Sequence, residues 1–255
     1  MKINVFLQAR VSSSRLPGKV MRLLLGEPMI MRQIERIKKS VWVDKIVLLT
    51  SLDSTDDYLS ECCHEHNIKC FRGDLNNVLS RFTKALKEYP CDHVVRITGD
   101  CPLLDWDVLD LVIEAHLNSQ ADYTSNVISP TYPDGLDVEV MTADCLKDVS
   151  LQARKSYEKE HVTYYCYQHP DRYKLHNVFN PIGDESDLRW TVDQIEDFQF
   201  VESIYQELYK GEPFSSSEIR SLLIKNPILM KINKGISRNE GFKKPISMES
   251  KNEIL

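Results

Sequence analysis

The sequence predicts an α/β protein: a mostly parallel sheet flanked by helices on both faces. Short apolar runs rich in β-branched residues, at 3–7, 45–50 and 93–98, alternate with longer segments whose apolar residues recur every three or four positions. The connections between them are short, as strand–helix–strand crossovers require. Composition permits such a fold. The chain has 255 residues, 42% hydrophobic and 27% charged, which describes an ordinary globule able to bury a substantial core.

Each element follows in order. Residues 3–7 read as a buried strand. From Gln8 to Val20 hydrophobic periodicity stops and Ser, Pro and Gly take over, as in a loop. Arg10, Arg15 and Lys19 stand there around the run Ser12-Ser13-Ser14. A loop leaving the C-terminal end of a strand is where open α/β sheets bind ligands. Guanidinium forks, an ammonium and backbone N–H groups suit a polyphosphate; the same residues would also serve a solvated surface loop. Residues 29–38 place Ile30, Ile34 and Ile37 on one helical face. Residues 45–50 are a second strand, and 53–66 a helix with Asp53 or Ser54 as N-cap. A short strand at 68–71, a helix at 75–89, a strand at 93–98 closed by Gly99-Asp100-Cys101-Pro102, a helix at 106–118 and a strand at 121–125 complete the first half.

The second half changes character. Pro130, Pro133 and Gly135 force turns, and 136–141 alternates apolar and acidic residues as a half-buried strand does. Thr142 or Asp144 can cap a helix running towards Ala153, and 157–168 reads as one further helix. Segments 173–178 and 188–192 are strand-like, 193–209 is a long helix, and 216–225 a last one. Residues 1–236 are expected as a single domain, with 237–255 a polar, flexible tail.

The net charge of −6 argues against a broad nucleic-acid or anionic-membrane surface, yet leaves room for a local cationic pocket. Seven cysteines without a disulfide-like framework suggest free thiols in a reducing cytoplasm. No signal peptide and no apolar run of membrane-spanning length are visible.

Asp100 and Asp193 each follow a strand-like segment. Two such carboxylates are what Mg²⁺ uses when substrate phosphates supply its other ligands; taken singly, N-capping is the better explanation for each. The Cys62, Cys63, His64, His66 and Cys70 cluster matches no zinc-finger spacing and is read as packing. A Gly-x-Ser-x-Gly elbow, a Walker A loop and a Gly-x-Gly-x-x-Gly fingerprint are absent, so phosphate binding rests on Arg and Lys.

Gln8-Ala9-Arg10 with Ser14-Arg15-Leu16-Pro17-Gly18-Lys19 resembles the signature of the sugar cytidylyltransferases related to CMP-Kdo synthetase and acylneuraminate cytidylyltransferase. More narrowly it is similar to the SpsF-like branch of spore coat polysaccharide biosynthesis. Further matches are Arg72-Gly73-Asp74, Val78 to Phe82, Arg96 to Leu103, Tyr132 to Glu139, Glu160 to Thr163 and Leu188 to Asp193. Lys159 departs from the branch, which usually has Arg there, and Gln194-Ile195 departs from the wider family's Thr-Pro.

The resemblance implies a CTP-dependent transferase that joins CMP to a small-molecule acceptor, a sugar or related compound, and releases pyrophosphate. It implies Mg²⁺ on Asp100 and Asp193, with Arg15, Lys19 and Asp100 as catalytic residues. Gln8, Ala9, Arg10, Arg15, Lys19, Thr98 and Gly99 would hold the nucleotide, with Arg72, Gly73, Asp74 and Arg81 near the nucleoside. Asp134, Asp137, Glu139, His161 and Arg189 would line the acceptor pocket. A protruding subdomain at about 126–180 would carry acceptor binding and a homodimer contact; nucleic acid and membrane are not expected partners. A glycosyltransferase of GT-A type, for which Asp105-Trp106-Asp107 has the metal-motif letters, and a non-catalytic homologue remain as other readings.

Overall fold

The structure is a computed structural model and describes residues 1–236 and Arg238. The remainder of the expected 237–255 tail lies outside the described residues.

The first hundred residues fold as β1 (Ile3–Gln8), a small ribbon of β2 (Leu23–Leu24) and β3 (Glu27–Pro28), α1 (Met29–Ile37), β4 (Lys45–Ser51), α2 (Asp57–Glu65), β5 (Lys69–Gly73), α3 (Val78–Glu88) and β6 (His93–Thr98). Then come α4 (Trp106–Ser119), β7 (Tyr123–Ser125), β8 (Glu139–Thr142), α5 (Ala143–Gln152), α6 (Ser156–Glu160), α7 (Tyr164–Gln168), β9 (Leu175–Asn177), α8 (Ile195–Leu208) and α9 (Ser216–Lys225). Seven strands form one sheet in the order β5-β4-β1-β6-β8-β7-β9. All its pairs are parallel except the two made by β8, which runs antiparallel to β6 and β7. Residues 126–180 therefore carry β8 and β9 as an extension of this same sheet.

Alternation along β1 shows why both faces are covered. Ile3, Val5 and Leu7 enter one hydrophobic cluster, with side chains from α1, α4, α8 and α9; Phe6 enters the other, with Leu79 and Phe82 of α3 and Leu146 and Val149 of α5. Burying each such side chain stabilises the fold by about 1.5–3 kcal/mol. No helix among the described residues is long and apolar enough to cross a membrane.

Three expectations are corrected. The helix expected over 157–168 is two short helices, α6 and α7, interrupted at Val162, whose φ is 47°. A β-branched residue adopts that conformation only when its surroundings impose it. Here Val162 is fully buried, and the next residue, Thr163, donates its hydroxyl to Glu139 Oε1 at 2.6 Å. Residues 188–192 form no sheet strand: they are held by an isolated bridge between Asp134 and Arg189, and by Val192 N–H donating to the Asp100 carbonyl at 2.8 Å. Helix α8 starts at Ile195, which leaves Asp193 outside it.

Candidate active site

A cavity of about 730 Å³ is lined by the ends of β1 and β6 and by the loop that follows β1. The loop is fixed to the body. Leu16 and Val20 are buried in the core, Gly18 N–H donates to the Val11 carbonyl at 2.9 Å, and Val11 N–H donates to Asp56 Oδ1 at 2.7 Å. The backbone of the loop is thus held, while Arg10, Ser12, Ser14 and Arg15 remain exposed along it. Gly99 closes the floor: its N–H donates to the Gln8 carbonyl at 2.8 Å, and a Cβ there would lie 2.8 Å from the Ala9 side chain. Only glycine lets the two strand ends meet this closely.

Lys19 stands at the centre. Its ammonium donates to Asp100 Oδ2 at 3.1 Å, Asp193 Oδ1 at 2.8 Å and the Val192 carbonyl at 2.8 Å. Arg15 reaches Asp193 Oδ2 at 2.8 Å, with Arg189 3.6 Å from the same oxygen. Burial works to raise the Asp100 carboxyl, but the Lys19 charge and hydrogen bonds from Thr98 and Lys19 bring it down to about 2. Burial likewise works against the Lys19 charge, and the two aspartates outweigh it, raising its pKa.

Helix capping falls to other residues. Asp105 caps α4, accepting from Asp107 N–H at 2.8 Å, and Asp197 accepts from the N–H groups of Asp193 and Gln194 at the start of α8. Asp100 and Asp193 thus face the cavity as charged groups. The sequence expected this convergence from two strands of one sheet; the structure achieves it by hydrogen-bonding residues 191–192 to the Asp100 carbonyl instead.

The predicted nucleotide residues divide into two groups. Gln8, Ala9, Arg10, Arg15, Lys19, Arg81, Thr98 and Gly99 line the cavity. Arg81 is 1% exposed, and its guanidinium donates to the carbonyls of Asp74 and Leu75. Burial, with the like charge of Arg10 and against the pull of Asp56, lowers it to about 10. A cation so placed favours an incoming anion. Arg72, Gly73 and Asp74, expected near the nucleoside, are not among the lining residues of this cavity. Arg72 donates to the Ser51 and Asp53 carbonyls and pairs with Asp57 at 2.7 Å. Gly73 gives room to the Arg81 side chain, and Asp74 accepts from Asn76 and Asn77 N–H just before α3. Gly73 and Asp74 lie against Arg81, whereas Arg72 holds the carbonyl at the end of β4.

The same cavity is lined by Asp134, Asp137, Glu139, Glu160 and His161. Three of these carboxylates are each matched by a guanidinium: Asp134 by Arg189 at 2.8 Å, Asp137 by Arg238 at 2.6 Å, and Glu139 by Arg96. Glu139 also accepts from the Tyr123 and Thr163 hydroxyls, both at 2.6 Å, so both its oxygens are engaged. Asp137 is pushed up to about 7 by burial, partly countered by Arg238. Burial also lowers the pKa of His161, keeping the imidazole neutral at physiological pH. Gly135, at φ 112°, brings its backbone against Trp190 and Thr191; a Cβ there would sit 2.5 Å from Thr191 N. Arg189, also expected at the acceptor, is not among the lining residues; it donates through Nε and a terminal nitrogen to Asp197 at 2.8 and 2.9 Å, and it holds Asp134 behind the wall.

Sequence reasoning missed Arg96, Thr163 and Arg238 as lining residues. Arg96 carried a signal, a charge in the middle of an apolar strand. Arg238 carried none, because it sits in a stretch without periodicity.

Comparison with known proteins places these features in a family. The family model described as cytidylyltransferase matches residues 5–222. The spore coat polysaccharide biosynthesis protein SpsF of Bacillus subtilis (strain 168) is 34% identical over 227 residues, 87% of this chain and 93% of that protein. An uncharacterized protein of Methanocaldococcus jannaschii is 37% identical over 243 residues, 92% of this chain and 96% of that one. Among solved structures, a cytidylyltransferase from Leptospira borgpetersenii superposes with a TM-score of 0.87 at 32% identity, covering 93% of this chain and all of its own (100%).

Proposed function

We infer, because this chain belongs to the cytidylyltransferase family, that it transfers the CMP unit of CTP to a hydroxyl of a sugar or related acceptor and releases pyrophosphate. One observation carries the reading: Lys19, Asp100 and Asp193 meet in a cavity that also receives Arg10, Arg15 and Arg81. In-line displacement at phosphorus needs positioning and charge neutralisation more than covalent catalysis. The acceptor oxygen bonds to the α-phosphorus as the bond to the bridging oxygen breaks. The pair of electrons leaves on pyrophosphate, and the hydroxyl proton is lost. Arg10, Arg15 and Arg81 supply fixed positive charge for the phosphates, and Gln8, Thr98 and Gly99 shape the floor.

The residues present fit Mg²⁺. Asp100 and Asp193 already grip one cation, the Lys19 ammonium, so their geometry suits a positive charge between them. One or two carboxylates completed by phosphates is the usual Mg²⁺ arrangement. Bound there, Mg²⁺ would supply neutralisation of the triphosphate.

On the acceptor side, pairing of Asp134, Asp137 and Glu139 with arginines offsets the repulsion these three carboxylates would offer an anionic acceptor. Acidic sugars therefore stay within the substrate class. The Asp-x-Asp letters of a GT-A glycosyltransferase find no support, since Asp105 is 1% exposed and caps α4.

Pyrophosphate release, measured with Mg²⁺, each of CTP, UTP, ATP and GTP, and a panel of acidic and phosphorylated sugars, tests the reading. CTP is expected to be the productive nucleotide; release that favours a purine nucleotide would sink it. Arg15→Ala is expected to lower kcat/KM by roughly ten- to a hundredfold, the effect of one charge-assisted contact to the reacting phosphates. Unchanged kinetics would return Arg15 to the surface.

A further inference from the structure

An ammonium has three N–H donors. In Lys19 all three are committed, to Asp100, Asp193 and the Val192 carbonyl, and the side chain is only 9% exposed. Asp193 is committed as well, with its second oxygen on Arg15. A Lys19 placed in this way has no donor for a phosphate, and the two carboxylates assigned above to Mg²⁺ are already neutralised. The two roles therefore depend on one event, withdrawal of the ammonium from between the aspartates.

We propose that Lys19 is an exchangeable internal counter-ion that couples divalent-cation binding to nucleotide binding. It holds Asp100 and Asp193 together until CTP arrives, whereupon its ammonium passes to the phosphates and the aspartates pass to the divalent cation. The inference rests on the nucleotide and metal reading of the preceding section. Charge balance makes the exchange concerted. Withdrawing Lys19 alone leaves two partly buried carboxylates with their main cation gone, which is strongly unfavourable. Adding a divalent cation alone brings it beside Lys19 and Arg15, within about a Debye length and with little screening. Only the triphosphate gives the displaced ammonium a partner. Cation and CTP must then each raise the other's affinity, by the reciprocity that linkage imposes.

Mn²⁺ is the probe, its free concentration followed by electron paramagnetic resonance on the full chain without nucleotide. Lys19→Met and Lys19→Gln both remove the charge, and Gln keeps a hydrogen-bond donor. Both are expected to bind Mn²⁺ at least tenfold more tightly than the wild type, and adding Asp100→Asn to Lys19→Met should cancel the gain. In the wild type, CTP should tighten Mn²⁺ binding beyond what CTP chelates alone. If either variant, with a cooperative melting curve, binds Mn²⁺ no more tightly than the wild type, the exchange is overturned. A wild type whose Mn²⁺ affinity is the same with and without CTP overturns it too, whatever the variants do. If Mn²⁺ binding in the presence of CTP ignores Asp100→Asn, the metal assignment itself fails. Sensitivity to Asp100→Asn without a gain in the Lys19 variants sinks the exchange alone.

Discussion

Asp100→Asn and Asp193→Asn are each expected to lower turnover with saturating CTP by about a hundredfold or more and to raise the Mg²⁺ requirement, while the chain stays folded. The size follows from losing a carboxylate that neutralises the site where phosphate charge develops, an effect worth several kcal/mol. The structure separates this from two other accounts. Capping would make both changes nearly silent, since Asn caps as well as Asp, but the caps of α4 and α8 come from Asp105 and Asp197. A purely structural ion pair with Lys19 would show as lost stability with an unchanged Mg²⁺ titration. Asn keeps the size and one acceptor oxygen, and Lys19 retains the other aspartate and the Val192 carbonyl. The stability loss should therefore stay near the worth of one charged hydrogen bond, about 1.5–3 kcal/mol. Steady-state turnover across a Mg²⁺ titration, beside thermal melting of the same samples, checks both halves; wild-type titration curves for the two variants would refute the metal role.

How far the sequence could be read depends on what each segment must satisfy. Strands β1, β4 and β6 were legible because both faces of each are buried, which demands continuous apolar runs, and α1 because its apolar stripe must face the sheet. The cationic loop was legible as a loop, and its anchoring through Leu16 and Val20 was not, since two apolar residues carry no period. Residues 188–192 look like a strand for a good reason: Trp190 and Val192 are buried and alternate with more polar neighbours. Periodicity reports burial and cannot say whether the partner is a sheet or a loop carbonyl. The break at Val162 coincides with the bond from the Thr163 hydroxyl to Glu139, twenty-four residues earlier, so no local pattern announces it. Arg72, Gly73 and Asp74 belong to a matching motif, yet Gly73 and Asp74 pack against Arg81 while Arg72 pairs with Asp57; a motif marks residues that matter together without saying which of them touches a ligand.

Arg189, expected at the acceptor pocket, makes contacts that assign it a structural role with a large expected effect. Its guanidinium is 8% exposed and forks onto Asp197, which is fully buried, while its remaining nitrogen holds Asp134. Asn233 and the N–H groups of Asp193 and Gln194 complete the ring around Asp197. Arg189 thus ties the segment carrying Asp193 to the start of α8 and to the turn carrying Asp134 and Gly135. Replacing it by Met removes the charge and leaves two buried carboxylates without the guanidinium they share, a change that costs about 3–5 kcal/mol when one member of a buried pair is lost. For a chain of this size that corresponds to a fall in Tm of roughly 6–20 °C. Arg189→Lys should recover only part of it, because a point charge cannot span both partners as a planar fork does. Adding Asp197→Asn to Arg189→Met should restore stability relative to Arg189→Met alone, since the two residues act on one network. An acceptor contact predicts the reverse pattern, a raised KM for the acceptor with an unchanged Tm. Thermal melting of the three variants decides between them, and an Arg189→Met protein that melts like the wild type would restore Arg189 to the acceptor pocket.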